Sequence, residues 1–355
     1  MSRAGLLMSV AVVVACGRKS PPVDPDALTK EERAALAALS PLPAVPKDPT
    51  NAVADDPRAA ALGQMLFFEE DLAGEPGVSC RTCHAGPAMD DPGKHVSQGA
   101  QLGTRNSPPV IDSVFYSHLN WGGKFDTQWG LVIGALEKPE VMNAKRADVV
   151  EAVKSTYRAE YEAIFGPLDG RAVDDAFTDI AKTIAAYMRL LVARSAPFDR
   201  WIAGDEAAIA PAAKRGAKLF LAHCKSCHDG PHFTDNKFHA LAAAQFGEGV
   251  PAEDLGRFGD VPEAARRPEM RGQFRTPSLR NVAVTPPYMH AGQFPTLDAV
   301  MAFYNAGGGS VGGVVKDPEM KRLGLTTAQQ ADLVAFMQAL TDTTVPPALL
   351  VDTSR

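Results

Sequence analysis

The sequence lacks an excess of basic charge, a hydrophobic run long enough to cross a membrane, and any convincing stretch of alternating apolar and polar residues. Its formal net charge is −6, which gives no indication of a nucleic-acid partner. The apolar run near its start, from Ala4 to Ala15, is too short for a comfortable membrane span. Without strand-like alternation, the fold is predicted to be mainly α.

The length and the amino-acid composition of the chain indicate two helical domains with long loops. The chain has 355 residues, which exceeds the usual size of one domain. Hydrophobic residues make up 45%, enough for a real core, while charged residues make up only 22%. Thirty glycines and 28 prolines accompany them. We therefore expect long ordered loops around a modest set of helices.

The N-terminus has the pattern of an export signal. One arginine precedes the apolar run, and the run ends in Val13-Val14-Ala15-Cys16, which is typical of a bacterial lipoprotein cleavage box. The hypothesis is a signal over 1–16, a lipid anchor at Cys16, a Pro-rich tether over 17–50, and a periplasmic protein held at the outer membrane. An ordinary signal peptide with an incidental cysteine is the alternative.

The other four cysteines form two identical motifs. Cys-x-x-Cys-His occurs at Cys80, Cys83 and His84, and again at Cys224, Cys227 and His228. This spacing is the signature of covalent c-type haem attachment, in which two thiols bind the haem vinyl groups and the histidine becomes an axial iron ligand. Two disulfides or one four-thiolate zinc site are alternatives, but neither explains the histidine after each pair.

The residues before each motif repeat as well. "LGQMLFF" at 62–68 precedes the first motif, and "RGAKLFL" at 215–221 precedes the second. Each predicts a short helix whose Leu and Phe pack on a haem. The repeat favours two related haem domains in one chain, over 51–205 and 206–345.

Helical periodicity is clearest between and after the motifs. One helix is predicted from Val149 to Ile164, and a second is predicted after a capping Asp174. A long region of little periodicity, 229–295, is expected to wrap the second haem. Two closing helices are predicted to start at Thr296 and at Thr327, with Gln330 completing a capping box for the latter.

Three further segments resemble one known family. They are "GTRNSPP" at 103–109, "NWGGK" at 120–124, where the family's Asp and Arg are replaced, and "FRTPSLRNVAVTPPYMHAGQFPTLDAVMAFYNAGG" at 274–308. With the haem motifs, they resemble the bacterial di-haem cytochrome c peroxidases and their methylamine-utilisation (MauG) relatives over roughly residues 55–342. The resemblance implies two cytochrome c-like haem domains.

The resemblance also implies sites between the domains. The family's calcium ligands fall on Asn106, Thr285 and Pro287, the last two through main-chain carbonyls. Its tryptophan between the haems, which would relay electrons, falls on Trp121. An Asn with two turn residues and no ion, and a packed core tryptophan, are the alternatives.

The iron ligands decide the chemistry that the resemblance implies. A histidine caps the first iron of the classical peroxidases, but Gln98 stands at its place, so an open first iron is expected unless His95 substitutes. Tyr304 falls where the MauG branch has a tyrosine on the second iron, with Met301 or Met289 as alternatives. His290 corresponds to a residue near the haem propionates, and no role is assigned to four other histidines: His118, His223, His232 and His239.

The acid of the family's peroxide pocket is not evident. Its Gln and Glu fall on Leu131 and Val141; Glu140 is one residue away and is the candidate proton donor, with Glu137 weaker. The expected function is reduction of hydrogen peroxide at the first haem, with electrons arriving through the second from a small cytochrome c or cupredoxin. Oxidation of a partner protein's aromatic residues, as the MauG branch implies, and non-enzymatic electron transfer are the alternatives.

Overall fold

In a computed structural model of the protein, residues 27–247 and 253–355 are described, and they are mainly helical. The α-helices of the described residues are α1 Lys30–Ala37, α2 Pro57–Phe68, α3 Cys80–Cys83, α4 Gln128–Glu137, α5 Arg146–Thr156, α6 Arg158–Phe165, α7 Val173–Met188, α8 Pro197–Ile202, α9 Pro211–His223, α10 Arg257–Asp260, α11 Leu297–Asn305 and α12 Thr327–Gln338. Short 3₁₀ turns lie at Ser113–Phe115, Glu263–Ala265, Pro268–Met270, Val282–Val284 and Pro347–Leu350. Two short antiparallel strands, β1 Phe238–Ala240 and β2 Gln273–Arg275, form a small sheet.

Each half of the chain is built on one closely crossed pair of helices. Helix α2 packs on α7 in the first half, and α9 packs on α12 in the second. A Cβ on Gly63 would lie 1.9 Å from the Thr183 carbonyl oxygen, and one on Gly216 would lie 1.9 Å from the Asp332 carbonyl oxygen. The repeated glycine therefore lets the two backbones touch, which a side chain would prevent.

Two hydrophobic cores follow from these crossings. The first includes Phe67, Phe177 and Tyr187. The second is a cluster of edge-to-face phenylalanines, Phe198, Phe220, Phe233 and Phe336. Because Phe198 belongs to α8, that helix packs with the second core, although it precedes the expected boundary at 205/206.

A second internal repeat leads into α4 and α11. Two segments of equal length, 106–137 and 275–306, share the same local structure; we call them the first and second repeated units. Both place an αL residue before a 3₁₀ turn, close a small loop with an antiparallel bridge, and start a helix from a threonine cap. The matched pairs are Asp112 and Asn281 in αL, Leu119–Phe125 and Tyr288–Phe294 in the bridges, and Thr127 and Thr296 as caps.

Several predicted boundaries shift. The helix expected over 149–164 is broken at Tyr157, whose ψ of 19° leaves the helical range, so α5 and α6 are separate. Helix α7 begins at Val173, one residue before the Asp174 that was expected to cap it. The capping box of α12 is Thr326 with Gln329, one residue earlier than expected. The start at Thr296 is confirmed.

The two ends of the chain each pack on the other half. Helix α1 lies inside the segment 17–50 that the sequence predicts to be a tether, and its Leu36, with Leu39, is buried in the second core. The C-terminal tail crosses the first half: Gln64 donates to the carbonyls of Ala348 and Val351. Cys16 and the predicted signal lie outside the described residues, within which no helix is long and apolar enough to cross a membrane.

Candidate haem-binding site

The two haem-motif histidines are held in the same way. His84 Nδ1 is 2.8 Å from the Met89 carbonyl oxygen, and His228 Nδ1 is 3.0 Å from the Phe233 carbonyl oxygen. The acceptor lies five residues along the chain in both cases. A backbone carbonyl accepts only from a protonated Nδ1, so this bond fixes the tautomer and leaves Nε2 free to bind iron.

No disulfide joins the four motif cysteines. Burial raises the pKa of Cys80 to about 12, that of Cys83 to about 11 and that of Cys224 to about 12. Neutral, closely paired thiols beside a histidine fit thioether attachment to haem vinyl groups. The disulfide alternative is wrong for this structure, and the described residues contain no cluster of three or more Cys, His, Asp or Glu side chains that could hold a zinc ion.

The second motif opens into a large apolar cavity of about 260 Å³. Cys224, Cys227 and His228 line it, and the α11 side chains Val300, Met301 and Tyr304 line it as well. Burial, and next the neighbouring thiols of Cys224 and Cys227, raise the pKa of the Tyr304 phenol. Tyr304 is thus close to the haem attachment point, and its role as ligand of the second iron stays a prediction. The alternative ligands Met289 and Met301 line the same cavity.

Polar atoms in this cavity wall fit the carboxylates of a haem. His290 Nε2 and Arg275 Nε are buried and have no hydrogen-bond partner among the described residues. A buried donor left without a partner is costly, so such atoms usually meet a ligand or water. Apolar walls, paired thiols, a tautomer-fixed histidine and donors for propionates together fit a c-type haem.

Trp121 lies where the two halves meet. It belongs to the first repeated unit, yet it lines the cavity of the second motif. Its indole Nε1 donates to the Asn106 carbonyl at 2.7 Å, and its ring lies 6.5 Å from that of His290, edge to face. The Arg275 amide donates to its carbonyl at 2.8 Å. Trp121 is therefore held by residues of both halves, and its role as an electron relay stays a prediction.

The three residues predicted to bind calcium all border the haem cavity: Asn106, Thr285 and Pro287 are among its lining residues. The Asn106 amide group donates through Nδ2 to the Lys94 carbonyl at 3.0 Å, which orients its Oδ1 to the opposite side. The Asn106 backbone amide donates to the His290 carbonyl at 2.7 Å. The segment thus joins Trp121, His290 and the predicted ion site.

The candidate residues around the first haem are more scattered. Gln98 is exposed and forms a bridge with Leu102, while His95 Nδ1 lies 2.6 Å from the Gly292 carbonyl of the second repeated unit. Glu140 is partly exposed, and its carboxylate lies 3.9 Å from Lys138 Nζ. Glu137 pairs with Arg146 at 2.6 Å on the surface. No described contact joins these four side chains to His84.

Leu131 and Val141, which stand where the family has its pocket Gln and Glu, lie on different segments. Leu131 lies half-buried on α4, and Val141 packs against the first core. The Val141 carbonyl accepts from the amide of Ala100, so the Gln98 hairpin is fixed to the segment that follows α4. The loop that carries Gln98 and the segment that carries Glu140 are therefore neighbours.

Comparisons with known proteins give the family. Residues 57–207 match the family model "Di-haem cytochrome c peroxidase", and residues 213–341 match the model "Cytochrome c". The chain is 37% identical to cytochrome-c peroxidase IdrP1 of Denitromonas iodatirespirans, with 86% of each chain covered. It is 33% identical to the methylamine utilization protein MauG of Methylophilus methylotrophus, over 79% of this chain and 82% of that one.

The chain belongs to the di-haem cytochrome c peroxidase and MauG family. It is therefore an oxidoreductase with two c-type haems. Solved structures agree: a MauG-like protein associated with microbial copper homeostasis matches with a TM-score of 0.75 and 27% identity, covering 88% of this chain and 98% of that one. The di-haem peroxidase BthA of Burkholderia thailandensis matches at 0.72 and 28%, covering 83% and 89%.

Within this family member, the two repeated units identify a residue that sequence reasoning missed. When the two repeated units are aligned residue by residue, Tyr304 of the second unit corresponds to Ala135 of the first. In the same alignment, Val300 corresponds to Leu131 and Met301 to Val132. Helix α4 thus presents apolar side chains where α11 presents a phenol. The signal was available as two aligned segments, but their sequences share too few identical residues to reveal the match without the common turns and caps.

Arg105 is a second residue of this kind. Its guanidinium binds both carboxylate oxygens of Asp254, at 2.6 and 2.7 Å, and one oxygen of Asp260 at 2.5 Å. Both carboxylates belong to the second half: Asp254 precedes α10, and Asp260 is the last residue of that helix. This largely buried network ties the α10 region to the segment before Trp121.

Proposed function

We propose that this family member reduces hydrogen peroxide at an open first haem, bound by His84, and receives electrons through the second haem, bound by His228. The observation that supports this most is Ala135. In the alignment of the two repeated units, Ala135 corresponds to Tyr304, and a methyl group cannot bind iron. Haem iron with a free axial position supplies the redox chemistry of peroxide reduction.

Other residues of the chain would exclude water, donate the proton and carry electrons. The apolar side chains of Leu131, Val132 and Ala135 would exclude water from the first haem without offering a base or a ligand. The proton needed when the peroxide O–O bond breaks would then come from Glu140, whose backbone accepts from Gln101 in the Gln98 loop. Trp121 would carry electrons between the haems: it is partly buried, its indole is held by the Asn106 carbonyl, and its own carbonyl is held by the Arg275 amide of the other half.

The test is the ferric spectrum of the haem-loaded protein, followed by turnover of peroxide with a reduced mono-haem cytochrome c or a cupredoxin. We expect one high-spin and one low-spin haem in the electron paramagnetic resonance spectrum, and peroxide-dependent oxidation of the donor. Two low-spin haems and no turnover would instead identify a non-enzymatic electron carrier.

A second candidate is MauG-like oxidation of aromatic residues on a partner protein. The tyrosine at 304 favours it, because a phenolate ligand stabilises higher oxidation states of iron, whereas methionine raises the reduction potential. Replacing Tyr304 by Phe should alter the low-spin signal, and an unchanged signal would remove Tyr304 as ligand. Peroxide consumption without oxidation of any small redox donor would favour a protein substrate.

We also propose a calcium ion at Asn106, Thr285 and Pro287. Carbonyl and amide oxygens are the ligands that Ca²⁺ prefers, and the fixed orientation of the Asn106 amide is suited to binding. Metal analysis of the purified protein should find about one calcium per chain, and Asn106→Ala should lower that content. Full retention of calcium in the variant would place the ion elsewhere.

Export and anchoring are proposed from the sequence alone. The hypothesis is a periplasmic protein anchored in the outer membrane through Cys16. Cys16→Ser should release the haem-loaded protein into the soluble periplasmic fraction, while an unchanged distribution would favour an ordinary signal peptide.

A further inference from the structure

His239 lies between two carboxylates. Its Nε2 is 2.9 Å from Asp235 Oδ2, and its Nδ1 is 2.6 Å from Asp317 Oδ2. A carboxylate accepts hydrogen bonds but donates none, so both ring nitrogens donate only when the imidazole is protonated. Burial alone would lower the pKa of His239, but Asp317 and Asp235 outweigh burial and raise it. His239 is therefore a cation shared by two anions.

The three residues come from different parts of the second haem site. Asp235 follows the haem motif, and its amide donates to the Cys227 carbonyl at 2.8 Å. His239 is the middle residue of β1. Asp317 belongs to a glycine-rich segment, 307–323, which we call the strap. His239 and Asp317 both line the haem cavity.

The strap closes one side of this cavity and contains no regular secondary structure. Val311, Val314, Met320 and Leu323 of the strap line the cavity wall. Two backbone bonds tie it to the chain near β1, from Gly309 to the Leu241 carbonyl at 3.0 Å and from Asp317 to the Ala240 carbonyl at 2.9 Å. A segment with so many glycines loses much conformational entropy when it is ordered, so it needs a specific attachment.

We propose that His239, with Asp235 and Asp317, is a latch that holds the strap over the second haem and keeps that haem shielded from water. It is a positioning device: none of its side chains is needed as an iron ligand. The latch would keep the reduction potential of the second haem high. Exposure to water stabilises the more highly charged ferric haem and so lowers this potential. The proposal concerns the second haem alone and does not depend on an open first iron.

The test compares His239→Gln with Asp317→Asn in the haem-loaded protein. The first substitution removes a positive charge and the second removes a negative one. If the residues acted only by their charge, the two variants would shift the second haem's midpoint potential in opposite directions. If instead each substitution releases the strap, the midpoint potential of the second haem falls in both variants. A downward shift in both variants therefore supports the latch, and shifts of opposite sign overturn it.

Hydrogen exchange provides an independent readout. Peptides covering 307–323 should exchange at least tenfold faster in both variants, whereas peptides of α4 keep their wild-type rate. The double variant should exchange no faster than either single variant, because each alone opens the same latch. Val315→Thr is the matched control: Val315 lies in the same strap, but 79% of its surface is exposed and it does not line the cavity. Unchanged exchange in both single variants would also overturn the proposal.

Discussion

At the scale of the residue, the two halves differ most where the repeated units place different side chains at one position. Tyr304 and Ala135 are such a pair, because a phenol stands in one unit where a methyl group stands in the other. Asp112 and Asn281 are another. Both accept a backbone hydrogen bond through Oδ1, from Ala193 at 3.0 Å and from Asp342 at 2.7 Å. Only the first of them is ionisable.

The Ala135 position can be tested by adding the missing ligand. We expect Ala135→Tyr to convert the high-spin ferric signal of the first haem to a low-spin or six-coordinate one, and to reduce peroxide turnover at least tenfold, because a phenol at position 135 would take the ligand role at the first haem that we propose for Tyr304 at the second. Ala135→Ser is the control, since its side chain is too short to reach the iron. A high-spin signal that survives in the Tyr variant would contradict this assignment.

Asp112 predicts a pH-dependent stability. Its Oδ2 is buried without a partner among the described residues, and burial raises its pKa to about 7. Asp342 adds to this effect, while Arg280 and Arg194 oppose it. A carboxyl whose pKa is higher in the folded state holds its proton longer there, so the free energy of unfolding falls as the pH rises from about 4 to about 7, by roughly 1.4 kcal/mol per pH unit.

We therefore expect Asp112→Asn to leave stability near pH 4 almost unchanged and to raise it by roughly 2–4 kcal/mol at pH 8. Asn281 already plays this part in the second repeated unit, so the amide fits the local structure. Denaturant unfolding at several pH values measures the difference. Parallel curves for the two proteins across this range would show that Asp112 does not carry the pH dependence.

At the scale of the element, the glycine of each haem-proximal helix controls a helix crossing. Gly63→Ala should destabilise the first half severely, by at least about 3 kcal/mol, because the added Cβ meets the backbone of α7 and not a movable side chain. Thermal unfolding of the haem-loaded variant measures the loss. Gly259→Ala is the control, since its Cβ would lie an ordinary 3.5 Å from the Leu255 Cβ. Equal stability of the two variants would argue against the close crossing.

The elements also show how far periodicity extends as a guide. It located α7, which has one strongly apolar face, whereas α11 and α12 were predicted from their start signals at Thr296 and Thr327. It could not separate α5 from α6, because the apolar spacing continues across Tyr157 while the backbone turns there. It also missed β1 and β2, whose three residues each are too few to display alternation.

At the scale of the whole molecule, the two halves are joined by more than the haem region. Helix α1 packs on the second core, and the C-terminal tail packs on the first half, where the Tyr187 hydroxyl donates to the Leu349 carbonyl at 2.5 Å. The Arg105 network adds a connection near Trp121. The two haem domains are therefore expected to unfold with some cooperativity.

Ending the chain after Val345 tests the role of the tail. The truncated protein should lose several degrees in the melting temperature of the first half, because the Gln64 and Tyr187 partners are removed, while the low-spin spectrum of the second haem stays unchanged. Val351→Ser, at a residue whose side chain is exposed, serves as the control. A full-length melting temperature in the truncated protein would show that the tail adds no stability.

The sequence by itself determined the family, the two haem motifs, the mainly helical class and the candidate residues, because thiol and histidine spacing is fixed by the covalent geometry of haem. Only the tertiary structure decided which residues distant in the chain come into contact. It brought Asn106, Trp121 and His290 together, aligned Ala135 with Tyr304, and placed His239 between Asp235 and Asp317. Such contacts join residues far apart in the chain, and their formation depends on packing that no local pattern records.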